Sequence, residues 1–135
     1  MKLPMQIDAH NQWFVYCWVK INDRLRSVRF KVDTGCNALV LSHDTLKRFG
    51  YDASPPSLVK LPSVSGMLAS GDKHVFKKLG NISLFSDNGQ KNLICNVQGI
   101  CHAAQETNDL LGTEVLKCFL SVRFNLSKHI NMEFT

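Results

Sequence analysis

The amino-acid sequence predicts one all-β domain spanning residues 1–135, with one or two short helices and a single long hairpin. Three observations carry this: short β-branched and aromatic segments recur along the chain, turn-forming residues punctuate them, and a strand, loop and short-helix plan appears twice. A chain of this length buries a sizeable core without disulfide staples.

Gln12 to Lys20 (QWFVYCWVK) carries apolar residues on both parities, the pattern of a strand covered on both faces or lying at an interface. Asn22-Asp23 supplies turn chemistry. Leu25 to Val32 then returns as a half-buried strand, with Val28, Phe30 and Val32 on one face and Arg29 and Lys31 on the other. After a second apolar run, Ala38 to Leu41, the stretch SHDTLKRFG offers Ser42 as N-cap, Leu46 and Phe49 for an inner face and Gly50 as the stop of a short helix. Tyr51 to Pro62, with three prolines, reads as a loop. Leu58 to Leu61 and Val75 to Phe85 bracket the Ser/Gly-rich SVSGMLASGDKH as the arms of the long hairpin. Asn92 to Val97 reads as a strand and Gly99 to Asn108 as a polar loop. DLLGTEVLKCF is an apolar strand end, a glycine and a short helix through Val115, Leu116 and Phe119. SVRFNL, a Ser127-Lys128 turn and HINMEF close the chain as a β-hairpin, in which Val122, Phe124, Ile130 and Met132 alternate.

Apolar residues make up 44% of the chain and charged residues 20%, a composition far from the disordered and collagenous classes. The sequence has no apolar run of about 18 residues and no cleavable leader pattern, so the expectation is an intracellular chain with no membrane partner. The net charge of +5 is spread out, its longest basic run being Lys77-Lys78, and no nucleic-acid partner is expected. The five cysteines are odd in number and contain no CxxC pair, which points to reduced thiols. Cys95, Cys101 and His102 lack a second ligand pair at fixed spacing, so neither a metal nor a cofactor is expected. Cys101 beside His102 is not a thiol-protease arrangement, since sequence neighbours point apart. The sequons at Asn81 and Asn125 fall in strand segments and are discounted.

One acid stands out. In FKVDTGCNALVLS, residues 30–42, a strand that fills a core ends on Asp33 and is followed at once by Thr34, Gly35 and a second apolar run. An Asp-Thr-Gly triplet alone is a weak signal. Its apolar lead-in, the CNALVLS that follows, the capped short helix and the later Leu110-Leu111-Gly112 together raise it. VDTGCNALVLS and DLLGTEVL resemble the two signature elements of the retropepsin-like aspartic proteases of retroviruses and long-terminal-repeat retrotransposons, and the resemblance runs from about Trp13 to Phe134.

That resemblance implies a small closed β-barrel, homodimeric, with Asp33 as the catalytic carboxylate and Thr34 and Gly35 completing its loop. It implies a flap from Met67 to Val75, centred on Ala69-Ser70-Gly71-Asp72, with Val64-Ser65-Gly66 as a competing tip. Leu68, Val75 and Leu110 would line the groove and favour apolar substrate residues beside the scissile bond. Cys36, Asn37, Leu111 and Gly112 would support the acid loop. Cys36 stands where the family usually has alanine and reads as a small buried hydrophobe. Glu114 replaces a usual aspartate, and Thr113 replaces the arginine that braces the loop in many members.

Hydrolysing a peptide bond without a metal or a covalent nucleophile needs one group to take a proton from water while another supplies one. Two carboxyls sharing a proton do both. The chain has a single Asp-Thr-Gly and no Asp-Ser-Gly, so the expected partner is a second copy, related by a twofold axis and bringing its own Asp33. Lys2 to Ile7 and His129 to Phe134 are expected to interleave with their symmetry mates. The expected activity is an aspartic endopeptidase acting on an extended peptide, a viral or retroelement polyprotein, in the cytoplasm or within virus-like particles. The alternative is a catalytically silent dimer of the same fold that binds peptides or serves assembly.

Overall fold

The computed structural model describes residues 1–67, 71–119, 121–127 and 129–135. Its strands are β1 (Lys2–Ile7), β2 (Trp13–Ile21), β3 (Arg24–Val32), β4 (Leu39–Val40), β5 (Ser63–Met67), β6 (Lys73–Phe85), β7 (Leu93–His102), β8 (Leu110–Leu111), β9 (Val122–Asn125) and β10 (Asn131–Phe134). Between them lie three short helices, α1 (His43–Arg48), α2 (Pro55–Leu58) and α3 (Thr113–Leu116).

The strands pair in the order β5-β6-β7-β4-β8-β3-β2-β1-β10-β9, and β6 pairs additionally with β2. That extra pairing, Trp18 to Lys20 against Phe85 to Ser83, turns β6-β7-β4-β8-β3-β2 into a hydrogen-bonded circuit with no free edge. The core lies inside this circuit. Val15, Cys17, Val19 and Ile21 face it from β2, Val28 and Phe30 from β3, Ile82 and Leu84 from β6, and Cys95 and Val97 from β7. Leu46 of α1, Leu58 of α2 and Val115 of α3 plug it from outside the strands.

The mixed parity of β2 has a local explanation. Its odd positions from Val15 to Ile21 are buried, while its even-numbered aromatics are amphipathic or capped by polar groups. Arg29 Cζ sits 3.6 Å from the centre of the Phe14 ring, and Tyr16 donates its hydroxyl to Gln6 Oε1 at 3.0 Å. The β2–β3 hairpin turns at Asn22, which takes φ 55°. In α1, Ser42 Oγ accepts from the Thr45 N–H at 3.1 Å, and Gly50 ends the helix region at φ +80°.

Four expectations need correction. The Tyr51 to Pro62 segment contains α2, bringing the helices to three: Pro55 at the first helical position has the helical φ built in, and Leu58 is buried. Consequently the first hairpin arm is Ser63–Met67 rather than Leu58 to Leu61, in register Ser63↔Lys77 to Met67↔Lys73. Strand β7 runs on through Gly99 to His102, because Leu39 and Val40 of β4 give it a second partner there. Finally, the two ends pair within one chain: β1 lies between β2 and β10, with Leu3↔Met132 and Met5↔Val15. Both edges of β1 are therefore occupied without a second copy.

Candidate active site

Asp33 follows the last residue of β3 and is held by elements distant in sequence. Its N–H donates to Leu111 O of β8 at 3.1 Å, and its own carbonyl accepts from the Cys36 N–H at 3.1 Å. These bonds fold residues 33–36 into a tight turn. Gly35 N–H donates to Asp33 Oδ1 at 3.0 Å, fixing the carboxylate, and a Cβ added at Gly35 would stand only 3.3 Å from that oxygen. Thr34, Gly35 and Asn37 are exposed at the surface of the chain.

The supporting residues predicted from sequence are brought together here. Thr113 N–H donates to Cys36 O at 2.9 Å and Glu114 N–H to Asn37 O at 2.7 Å, so the start of α3 braces the acid loop through its backbone. The Thr113 hydroxyl adds a long contact to Asn37 Oδ1 at 3.5 Å. Gly112 makes the approach possible: an added Cβ would meet Cys36 O at 2.4 Å and Ala38 O at 2.5 Å. Leu111 is buried behind the loop. Cys36 is half-buried, its Sγ 3.5 Å from Ala38 O, and burial, with the nearby Asp33 charge adding to it, pushes its thiol pKa up. Burial does the same for Cys95 and Cys101, the latter to about 11, so neither is a thiolate at neutral pH.

Asp33 opens onto a groove of about 1130 Å³. Its larger apolar lining residues are Val40, Val64, Met67, Phe76, Ile100 and Leu110, and its polar lining includes Lys31, Lys78, Gln98, Glu106 and Glu114. The flap overhangs it, but with a different part than expected. Strand β5 faces the groove with Val64, Ser65, Gly66 and Met67, so Val64-Ser65-Gly66 is groove wall and not a tip. Alternation along β6 turns Phe76 and Lys78 inward, leaving Val75 49% exposed and off the groove, contrary to expectation. Gly71 and Asp72 are exposed at the hairpin end and also do not line it, while Leu68, Ala69 and Ser70 lie outside the described residues. Leu110 lines the groove as expected.

Sequence reasoning missed Lys31 as a groove residue, although the signal was present: it shares the parity of Asp33 along the strand. It also missed Asp109. This carboxylate accepts from Ser42 N–H and from Thr45 Oγ1, both at 2.7 Å, tying the entry of β8 to α1. Burial pushes its pKa up against the pull of those two bonds. Glu106 anchors the same helix, accepting from His43 N–H at 2.6 Å and Asp44 N–H at 3.1 Å.

A closed strand circuit with a flap hairpin over a groove, and an Asp-Thr-Gly loop at the groove floor braced by a Leu-Leu-Gly element, define the retropepsin-like class of aspartic protease fold. Comparison with known proteins agrees. The family model described as aspartyl protease matches residues 18–91, more than half the chain and including Asp33, Thr34 and Gly35. The chain belongs to this aspartyl protease family. Among solved structures, a retropepsin-like aspartic protease from Rickettsia conorii superposes with a TM-score of 0.59 at 17% identity, covering 98% of this chain and 89% of that one. No curated protein matches this sequence. Among the described residues, no helix is long and apolar enough to cross a membrane.

Proposed function

We propose that the protein is an aspartic endopeptidase that works as a symmetric homodimer, two Asp33 carboxyls activating one water between them. The observation that carries this reading is the state of the three carboxylates on the groove. Glu106 is occupied by the N–H groups of α1, and Glu114 is held by Lys117, 3.0 Å from each of its oxygens. Asp33 remains, held on one oxygen by Gly35 and open to the groove. One such acid cannot both deprotonate water and protonate the substrate carbonyl. The exposed Thr34, Gly35 and Asn37 surround it on a surface suited to meeting a twin across a twofold axis, where the two carboxyls share a single proton.

In the hydrolytic step, the ionised carboxylate takes a proton from water as its oxygen attacks the scissile carbonyl, and the protonated partner donates to the carbonyl oxygen. Collapse of the tetrahedral intermediate returns a proton to the leaving nitrogen. An extended peptide fits a groove roofed by a hairpin, main-chain bonds supplying affinity and alternate pockets supplying selectivity. The substrate class proposed is a viral or retroelement polyprotein, met in the cytoplasm or in virus-like particles.

The test is Asp33→Asn. It is expected to lower peptide hydrolysis by at least about 10³-fold while the fold and self-association persist. Wild-type specific activity should fall on dilution as the dimer dissociates. Full activity in the Asp33→Asn variant, or specific activity independent of concentration down to the monomer, overturns the reading.

A further inference from the structure

Two lysines on the groove, Lys31 and Lys78, are not engaged by any anion among the described residues in the way its other charged side chains are engaged. Its larger lining side chains are apolar, which alone suggests an apolar substrate. Of the carboxylates, Asp33 is the reacting acid, held by the Gly35 N–H, Glu106 is engaged by backbone donors of α1, and Glu114 is paired with Lys117. The lysines are different. Among the described residues the ion pairs are Lys47 with Asp44 and Lys117 with Glu114, and neither Lys31 nor Lys78 has a carboxylate or side-chain hydrogen-bond partner. Lys31 is also half-buried, its stem packed along the groove wall. It lies near the end of β3, two residues before Asp33, and touches the same groove as the acid.

We propose that Lys31 is a specificity-determining residue that selects an acidic side chain in the substrate residue bound next to the scissile bond, with Lys78 adding a second positive charge on the β6 wall. The substrate class is thus a peptide pairing an apolar residue, for the Val40, Ile100 and Leu110 surface, with a glutamate or aspartate beside it. A carboxylate entering the groove completes a charge-assisted hydrogen bond that Lys31 lacks, whereas a lysine entering meets a like charge. This rests on the endopeptidase reading for its chemistry but not for its recognition.

The experiment begins with a proteome-derived peptide library digested by the wild-type dimer, with cleavage sites read by mass spectrometry. Matched peptides from one site then carry Glu, Gln or Lys at the residue flanking the cut. The wild type is expected to prefer Glu over Gln by about tenfold in kcat/KM at low salt, with the margin shrinking as salt rises. Lys31→Met brings the two rates together, Lys31→Glu reverses the order in favour of Lys, and Lys31→Arg keeps the preference, showing that charge and not packing is read. Equal rates for Glu and Gln in the wild type, or an undiminished preference in Lys31→Met, overturn the proposal and leave the endopeptidase standing. The second arm measures binding of the same labelled peptides to Asp33→Asn by fluorescence anisotropy. Tighter binding of the Glu peptide that Lys31→Met abolishes, with no cleavage by the wild type, supports this proposal while rejecting the endopeptidase. Neither binding nor cleavage rejects both.

Discussion

His74 Nδ1 lies 2.8 Å from His102 Nε2, a bond that ties the second arm of the flap to the end of β7. Its direction follows from the other nitrogen of His102. Nδ1 already accepts two backbone N–H groups, from Ala104 and Gln105, each at 2.9 Å, so Nε2 carries the proton and donates. His43, from α1, approaches the same residue through the His102 carbonyl at 2.7 Å.

The first prediction is a loss of stability on mild acidification. Burial pushes the His102 pKa down, and the charges of His74 and His43 push it further in the same direction. Because the folded value is depressed, the neutral ring contributes stability above the unfolded value of about 6.5, and that contribution is lost as pH falls through and below it. Asp109, with its raised pKa, acts in the opposite sense, but only at the lower pH where carboxylates titrate. Thermal unfolding should show a midpoint that is level above neutrality and declines below about pH 6.5. His102→Gln should flatten the profile between those limits. An unchanged slope in that variant would assign the decline to other groups.

A methyl group at position 112 should be costly. Gly112→Ala drives a Cβ against two backbone carbonyls, Cys36 O and Ala38 O, which cannot rotate away as a side chain could. A loss of about 3 kcal/mol is expected in urea unfolding, with peptidase activity falling more steeply than stability because Cys36 belongs to the acid loop. A variant of wild-type stability and activity would show that the loop yields easily.

Removing the Asp109 carboxylate should release α1. Asp109→Ala leaves the Ser42 N–H and the Thr45 hydroxyl without their acceptor. The expected loss is about 2–3 kcal/mol, while Asp109→Asn, which keeps one oxygen acceptor, loses about half of that. Equal losses from both substitutions would mean that the negative charge, not the hydrogen bonding, is what matters.

Deleting residues 1–7 should unfold the monomer rather than merely separate two copies. Leu3 and Met5 are buried and β1 fills the gap between β2 and β10. Their burial alone contributes about 4 kcal/mol, a large part of the stability of a domain this size. Circular dichroism of the shortened chain checks this; retained strand signal with weakened self-association would restore the idea that the ends serve mainly to join copies.

Much of the architecture was legible because it is local. Alternation at Val28, Phe30 and Val32, the turn at Asn22, and the Ser42 cap with its Gly50 stop each announce themselves within a few residues. The acid loop was legible too, as a short motif between two apolar runs. What was hidden depends on partners far along the chain. Strand β7 is extended past Val97 because β4 lies beside it, and β1 is claimed by β10 across nearly the whole sequence. The groove lining was misjudged for a related reason: Val75 and Phe76 are both apolar, and only the packing of β6 against β5 and β7 decides which one turns inward. Asp109 looked like the ordinary lead-in to a strand, since the helix it holds lies more than sixty residues earlier.

Strand β1 runs beside β10 so closely that Met1 and Phe134 exchange both main-chain bonds, at 2.9 and 3.2 Å. The polypeptide therefore comes almost full circle. A short tether across that seam, with a new opening at an exposed bend such as Asn88 to Gln90, would reorder the wiring while leaving every ladder intact. The acid would then stand near the middle of the rearranged chain, and its geometry would owe nothing to which segment is synthesised first.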